Sequence, residues 1–316
     1  MNQANVALFP DPKEAQWSYT MRSRGVVERR LTVRTAKGGE PLTLGVMADL
    51  HINYCNEEDL KDPVLKSTAE QRVAFDRRSV IPNIDNAFHY CEDCQKILLL
   101  GDVYDYVSDG VIELADKHVF SHKNVIACLG NHEPYRQMQG LVPETLPFAE
   151  RRAKVAAHWC NDPDYYSEVL DDRVMLVLLD NGFGFLEMQI ERLRADIEKA
   201  RAEGLTVLLF FHVPLNTGHE EDRALRSIWN TGCSHWNFCN SPEYVGPQST
   251  GVNGDIFRLI TTNADVIRAC FVGHVHNDYY CELDATTPDG TPAAIPQYML
   301  TGAAYNLGHT LKLEIL

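Results

Sequence analysis

The sequence predicts a layered α/β fold, from three observations: six short apolar runs, helical periodicity between them, and the alternation of the two along the chain. The runs are LTLGVMA (42–48), ILLL (97–100), VIACL (125–129), VMLVLL (174–179), TVLLFF (206–211) and VIRACFV (266–272). They are rich in Val, Ile and Leu and largely lack polar alternation, as expected of strands covered on both faces. The clearest helix is 187–203, where Ile190, Leu193, Ile197 and Ala200 fall three or four residues apart and Gly204 offers a C-terminal stop.

The remaining segments elaborate this frame. Residues 1–41 form an extension whose LTVRTAKGGEPLTL stretch predicts a hairpin with Gly38–Gly39 near its turn. Residues 42–278 make the core. Within it, 213–265 is the largest insertion, dense in His, Trp, Asn and Gly. Residues 279–316 end in an alternating segment that reads as closing strands. No Pro/Gly/Ser linker divides the chain, which favours one domain with elaborations.

Composition narrows the function. Of 316 residues, 45% are hydrophobic and 23% charged, enough apolar side chains for a sizeable core. The formal net charge is -15 with no Lys/Arg block, which argues against bulk nucleic acid as a partner. No apolar stretch reaches membrane-spanning length, and the N-terminus lacks a basic patch followed by an apolar run. The expectation is a cytoplasmic protein with no membrane partner. Nine scattered cysteines fit free thiols better than a disulfide framework. Cys91 and Cys94 form a CxxC with no second pair to complete a zinc site, and read as helix-end thiols.

The residues directly after the apolar runs carry the chemistry. After the first run comes Asp49-Leu50-His51; after the second, Gly101-Asp102-Val103-Tyr104-Asp105; after the third, Gly130-Asn131-His132-Glu133; after the fifth, His212; after the sixth, Gly273-His274-Val275-His276. Taken singly, each has an ordinary explanation. Gly-Asp marks a turn, Asn131-His132 could cap a helix, and a lone histidine is commonly a hydrogen-bonded structural residue. Asp180-Asn181-Gly182, after the fourth run, is most simply a turn. The conjunction is different, because in open α/β sheets the carboxyl ends of strands converge on one edge. Five of twelve histidines, two aspartates and an asparagine gathered there would be costly to bury unpartnered, and metal ions would satisfy them together.

In that order these blocks resemble the signature of the calcineurin-like metallophosphoesterase superfamily: D-x-H, G-D, G-N-H-[ED], H and G-H-x-H. All five are intact between residues 42 and 278. The resemblance implies a four-layer α/β/β/α sandwich of two mixed sheets flanked by helices, and a binuclear metal centre. One ion would take Asp49, His51 and His276, the other Asn131, His212 and His274, and Asp102 would bridge both. It also places His132 beside the leaving group, with Asp105 orienting it. Read from sequence alone, Asp105 has a turn carboxylate as its lesser alternative. Two branches fit less well. Protein phosphatases carry Arg-Gly where this chain has Tyr106-Val107, and purple acid phosphatases have a glycine and a tyrosine where His51 and Asp105 stand.

Imidazole, carboxylate and amide ligands without cysteine suit two divalent ions of Mn, Fe, Zn or Co better than Mg. Such a pair holds a bridging hydroxide for in-line attack on phosphorus. It also outweighs Asp49 and Asp102, so an acidic chain can still attract a small phosphomonoester or phosphodiester. His132 would either protonate the departing alkoxide or hold a phosphoryl oxygen. His219, His235 and Trp236 in the insertion, with Trp229, Phe238 and Tyr244, would either wall a substrate pocket or pack the loop on itself. The rival functions are a non-catalytic metal-binding scaffold of the same fold and a protein phosphatase.

Overall fold

The computed structural model describes residues 18–21, 26–74, 80–137, 140, 142–219, 222, 244–276, 278–303 and 308–316. His235 and Trp236, together with Trp229 and Phe238, lie outside them.

All six apolar runs are strands. Numbered along the chain, the strands are β1 (Ser18–Met21), β2 (Val26–Val33), β3 (Leu42–Met47), β4 (Lys96–Leu100), β5 (Val125–Cys128), β6 (Tyr165–Leu170), β7 (Val174–Leu179), β8 (Thr206–Phe210), β9 (Ile267–Val272), β10 (Tyr279–Thr286), β11 (Pro292–Met299) and β12 (Gly308–Ile315). The helices are α1 (Pro63–Ala74), α2 (Ile81–Tyr90), α3 (Asp109–His118), α4 (Phe148–Ala156), α5 (Glu187–Glu203) and α6 (Gly251–Thr261). α5 spans the predicted residues and ends at Gly204, whose φ of 65° supplies the left-handed stop.

Two six-stranded sheets form, in the orders β1-β2-β12-β3-β4-β5 and β10-β11-β9-β8-β7-β6. Both are mixed. β3, β4 and β5 run parallel in the first and β7, β8 and β9 in the second, with antiparallel neighbours toward the edges. Successive residues of a strand face opposite sides, and in β4 each side meets a different core. Leu98 and Leu100 enter the layer between the sheets with Leu176, Leu208, Phe210 and Phe271. Ile97 and Leu99 instead pack under Ile84 and Phe88 of α2 and Val111 of α3. On the far side, Leu193 and Ile197 of α5 and Ile256 of α6 cover Val207 and Leu209. Helix, sheet, sheet, helix is therefore the layer order, and the absence of polar alternation in these runs follows from burial on both faces.

The hairpin expected around Gly38–Gly39 does not form. β2 and β3 are separated by β12, which is parallel to β2 and antiparallel to β3. Leu311, Leu313 and Ile315 of β12 fill the layer between the sheets at that point, a burial that a two-stranded β2–β3 ribbon would leave undone. Cys91 closes α2, and both it and Cys94 are free buried thiols.

Candidate metal centre

The carboxyl ends of β3, β4 and β5 in one sheet meet those of β8 and β9 in the other. Close approach makes two glycines obligatory there. A Cβ on Gly273 would lie 2.6 Å from an Asp49 carboxylate oxygen, and one on Gly130 would lie 2.2 Å from Asp102 Oδ1. The backbone is strained at the same edge: Asp49, His51, Asp102, His274 and His276 all have positive φ, between 47° and 70°. Only two other non-glycine residues do so among those described, Asp171 and Asp172. Clustered left-handed residues persist where surrounding structure over-determines them, and such clustering is typical of functional sites.

The side chains gather in two groups that share Asp102. In the first, His276 Nε2 lies 3.1 Å from Asp49 Oδ1 and 3.2 Å from His51 Nε2, which is 3.6 Å from Asp102 Oδ2. In the second, His212 Nε2 lies 3.2 Å from the same Asp102 oxygen, 3.1 Å from Asn131 Oδ1 and 3.2 Å from His274 Nδ1. Asp102 Oδ1 is occupied by the backbone N–H of His132 at 2.9 Å, which leaves Oδ2 facing both groups.

Neighbouring groups set the histidine tautomers. His51 donates from Nδ1 to Asp105 Oδ1 at 3.0 Å, and His212 from Nδ1 to the Leu100 carbonyl at 2.7 Å. Both Nε2 lone pairs then point inward at carboxylate, amide and imidazole acceptors. Acceptors converging at about 3 Å repel unless a cation or proton lies between them. The residues present therefore fit a pair of divalent cations, with the outer hydrogen bonds orienting the ligands as such sites require. Protons play that part in the metal-free chain. Burial lowers His212, but the Asp102 charge more than offsets it and raises the group to about 10. His51 is likewise pulled down by burial, yet its bond to Asp105 lifts it to about 9. Burial and the His212 charge drive His274 down to about 3. Burial raises Asp49 and Asp102, but the facing imidazoles prevail and hold both below the usual carboxylate range.

His132 stands at the rim. Its Nδ1 donates to the Asp105 carbonyl at 2.9 Å, with that residue's carboxylate at 3.4 Å, so Nε2 faces Asp102 Oδ2 at 3.9 Å. Asp105 thus touches two histidines, its carboxylate nearer to His51 and its carbonyl bonded to His132. His219 is placed elsewhere: its imidazole pairs with Asp284 of β10 at 3.0 Å, and it does not line the cleft beside Asn131 and His274. Its backbone N–H is tied to Thr217 Oγ1, which turns the residue toward β10.

Three residues support the centre, of which Arg72 and Asn181 lie outside the five motif blocks and Glu133 closes the third. Arg72 of α1 donates to Asp105 Oδ1 at 2.7 Å. Asn181 is more than part of a turn, because its carboxamide accepts from the backbone of His212 and Val213 and donates to the Val213 carbonyl. Glu133 ties β4 to β5 by accepting from Val103 and Gly130. Burial and the Asp102 charge raise its carboxyl to about 7.

Comparison with known proteins bears on the family. Among curated proteins none matches the sequence. Among solved structures, a dimetal phosphatase from Danio rerio is similar at 14% identity and a TM-score of 0.48, covering 84% of this chain and 88% of that one. PhoD is similar at 12% identity and a TM-score of 0.46, with 89% and 60% covered. A 5'-nucleotidase described from Staphylococcus aureus gives 12%, 0.41, 82% and 48%, so the chain spans about half the length of that protein. The description that matches across residues 42–278, three quarters of the sequence and every strand end described above, is calcineurin-like phosphoesterase, and the chain belongs to that family.

Proposed function

We propose that this protein, a binuclear metal-dependent phosphoester hydrolase by family, acts on a small phosphomonoester or phosphodiester. The observation that carries the reading is the single Asp102 oxygen shared by two inward-facing groups of acceptors. In this reading Asp49, His51 and His276 hold one divalent cation, Asn131, His212 and His274 the other, and Asp102 serves both. Bound there, the two ions supply Lewis acidity toward a phosphoryl oxygen and a water of lowered pKa.

The chain's own residues do the rest. Asp105 fixes the His51 ring through Nδ1, and its carboxylate lies beside His132 Nδ1. With Nδ1 engaged, Nε2 is the atom that delivers a proton to the departing oxygen. Asn181 pins the backbone on which His212 is mounted, and Glu133 joins the two strand ends that carry Asp102 and Asn131. The net charge of -15 disfavours large polyanions, while small esters reach the locally cationic site. No helix among the described residues is long and apolar enough to cross a membrane. Tyr106 and Val107, where protein phosphatases carry Arg-Gly, are buried under the helices and present no guanidinium to a phosphopeptide.

The test uses protein stripped of metal and reloaded with Mn, Fe, Zn or Co, assayed on alkyl and aryl phosphomonoesters, phosphodiesters and phosphopeptides. Hydrolysis of small esters is expected. Asp102→Asn should lower it by at least about 10²-fold, because an amide cannot match one carboxylate serving two cations. Loaded protein that turns over no ester would favour the scaffold reading.

A further inference from the structure

A cleft of about 450 Å³ opens directly beside the metal centre and shares Asn131 and His274 with it. Its wall is aromatic. Phe183 stands edge-on to Tyr135, with ring centroids 5.4 Å apart at 74°, and edge-on to Phe148 at 5.1 Å, yet it remains 51% exposed. Tyr244 lines the same cleft and places its ring 6.0 Å from that of His274.

The loop that carries Phe183 is held firmly. A Cβ on Gly182 would lie 2.4 Å from the Gly130 carbonyl oxygen, so the loop is pressed against the end of β5. Asn253 of α6 accepts the Phe185 N–H at 2.9 Å and also lines the cleft. A half-exposed phenyl braced by two rings and a pressed backbone is a preformed apolar face rather than a stray surface side chain.

Charge is the second observation. Among the described residues no Asp, Glu, Lys or Arg lines this cleft, although the centre beside it is built from carboxylates and imidazoles. Among the described lining residues, a leaving group bearing a second phosphate, a carboxylate or an ammonium would lose water and meet no counter-charge. An uncharged ring with a hydrogen-bonding edge loses little, since Asn253 and Asn131 offer amides and Phe183 offers a face.

We infer that this cleft is the leaving-group subsite, and that the substrate is a phosphoester of an uncharged, ring-bearing alcohol. The inference rests on the hydrolase reading for its orientation: the phosphoryl group sits at Asn131 and His274, and the alcohol extends toward Phe183. Phe183 is then the residue that determines specificity, acting by stacking on the alcohol's ring.

Calorimetry with non-hydrolysable probes on the metal-loaded protein tests it. Naphthylmethylphosphonate should bind at least about tenfold tighter than methylphosphonate, the scale of one well-formed ring contact. A carboxylate added to the naphthyl ring should remove that advantage. In Phe183→Ala the ratio of the two affinities should collapse toward one, and Phe183→Tyr should restore it. Equal affinities for the two phosphonates in the wild type would overturn the inference, as would a ratio unchanged in Phe183→Ala. The wild-type comparisons stand even if the alanine variant fails to fold. Turnover of naphthyl and methyl phosphate by the same protein reports on the hydrolase reading separately. Ring selectivity without turnover sinks only that reading, and turnover without ring selectivity sinks only the subsite.

Discussion

Loading the metal-free protein with divalent ions should expel about two protons near pH 7.5. His51 and His212 lie at about 9 and about 10 in the metal-free chain, so both imidazoles are protonated at that pH. Each must release its Nε2 proton before the lone pair can bind a cation. The protein's other groups release none, and a water ionised on the ions would add one more. His274 and His276 are shifted down by burial, and Asp49 and Asp102 are held ionised by the facing imidazoles. Affinity should therefore rise with pH through the neutral range and level off once both imidazoles are deprotonated, above about 10. Calorimetry in buffers of different ionisation enthalpy counts the protons directly, and competition with a chelator gives the slope. The sign carries over to stability. Both histidines rise above their ordinary 6.5, so their contribution to the metal-free fold is complete below pH 6.5 and is lost as pH passes through about 9 and 10. Chelated protein should thus weaken at alkaline pH while loaded protein does not. Uptake without proton release at pH 7.5, together with a flat affinity profile, would refute the arrangement.

Removing His132 separates chemistry from metal binding. His132→Ala should keep its metal by elemental analysis yet slow hydrolysis by about 10²–10⁴-fold, with alkyl esters hit harder than nitrophenyl esters. Equal slowing of both would assign it to holding the phosphoryl group. Arg72→Met strips the closest partner from the fully buried Asp105 carboxylate, at a cost of about 3 kcal/mol in urea denaturation. Pairing it with Asp105→Asn should recover part of that loss, and wild-type stability in the single variant would show that Arg72 does not hold Asp105.

The strands and their polar ends were legible because both are written locally. A run such as VMLVLL has one environment available to it, and Gly204 can only end a helix at the point where its φ is needed. His51, His212 and His274 stand out because each lies at the end of such a run. Local signals fail where a partner arrives from far along the chain. Gly38–Gly39 between two apolar stretches suggests a hairpin, yet β12 enters between them from residue 308 onward, and nothing near residue 38 encodes that. Arg72 reaches Asp105 across 33 residues from a helix with no motif of its own. Asn181 had the residue type and setting of a turn, and its hold on His212 emerges only when β7 and β8 lie side by side. His219 carries no positional signal of its own, and its pairing with Asp284 joins residues 65 apart.

The five left-handed residues at the strand ends also set how this protein could be altered by selection. Each non-glycine residue in that conformation costs about 1–3 kcal/mol, whereas glycine adopts it freely. A library randomised at Asp49, His51, Asp102, His274 and His276 and screened for heat survival alone would accumulate glycine or asparagine there. The same library screened for turnover would return carboxylates and imidazoles. Robustness and reactivity compete for the same five codons, so heat-adapted descendants that still hydrolyse esters must gain their stability elsewhere in the sandwich.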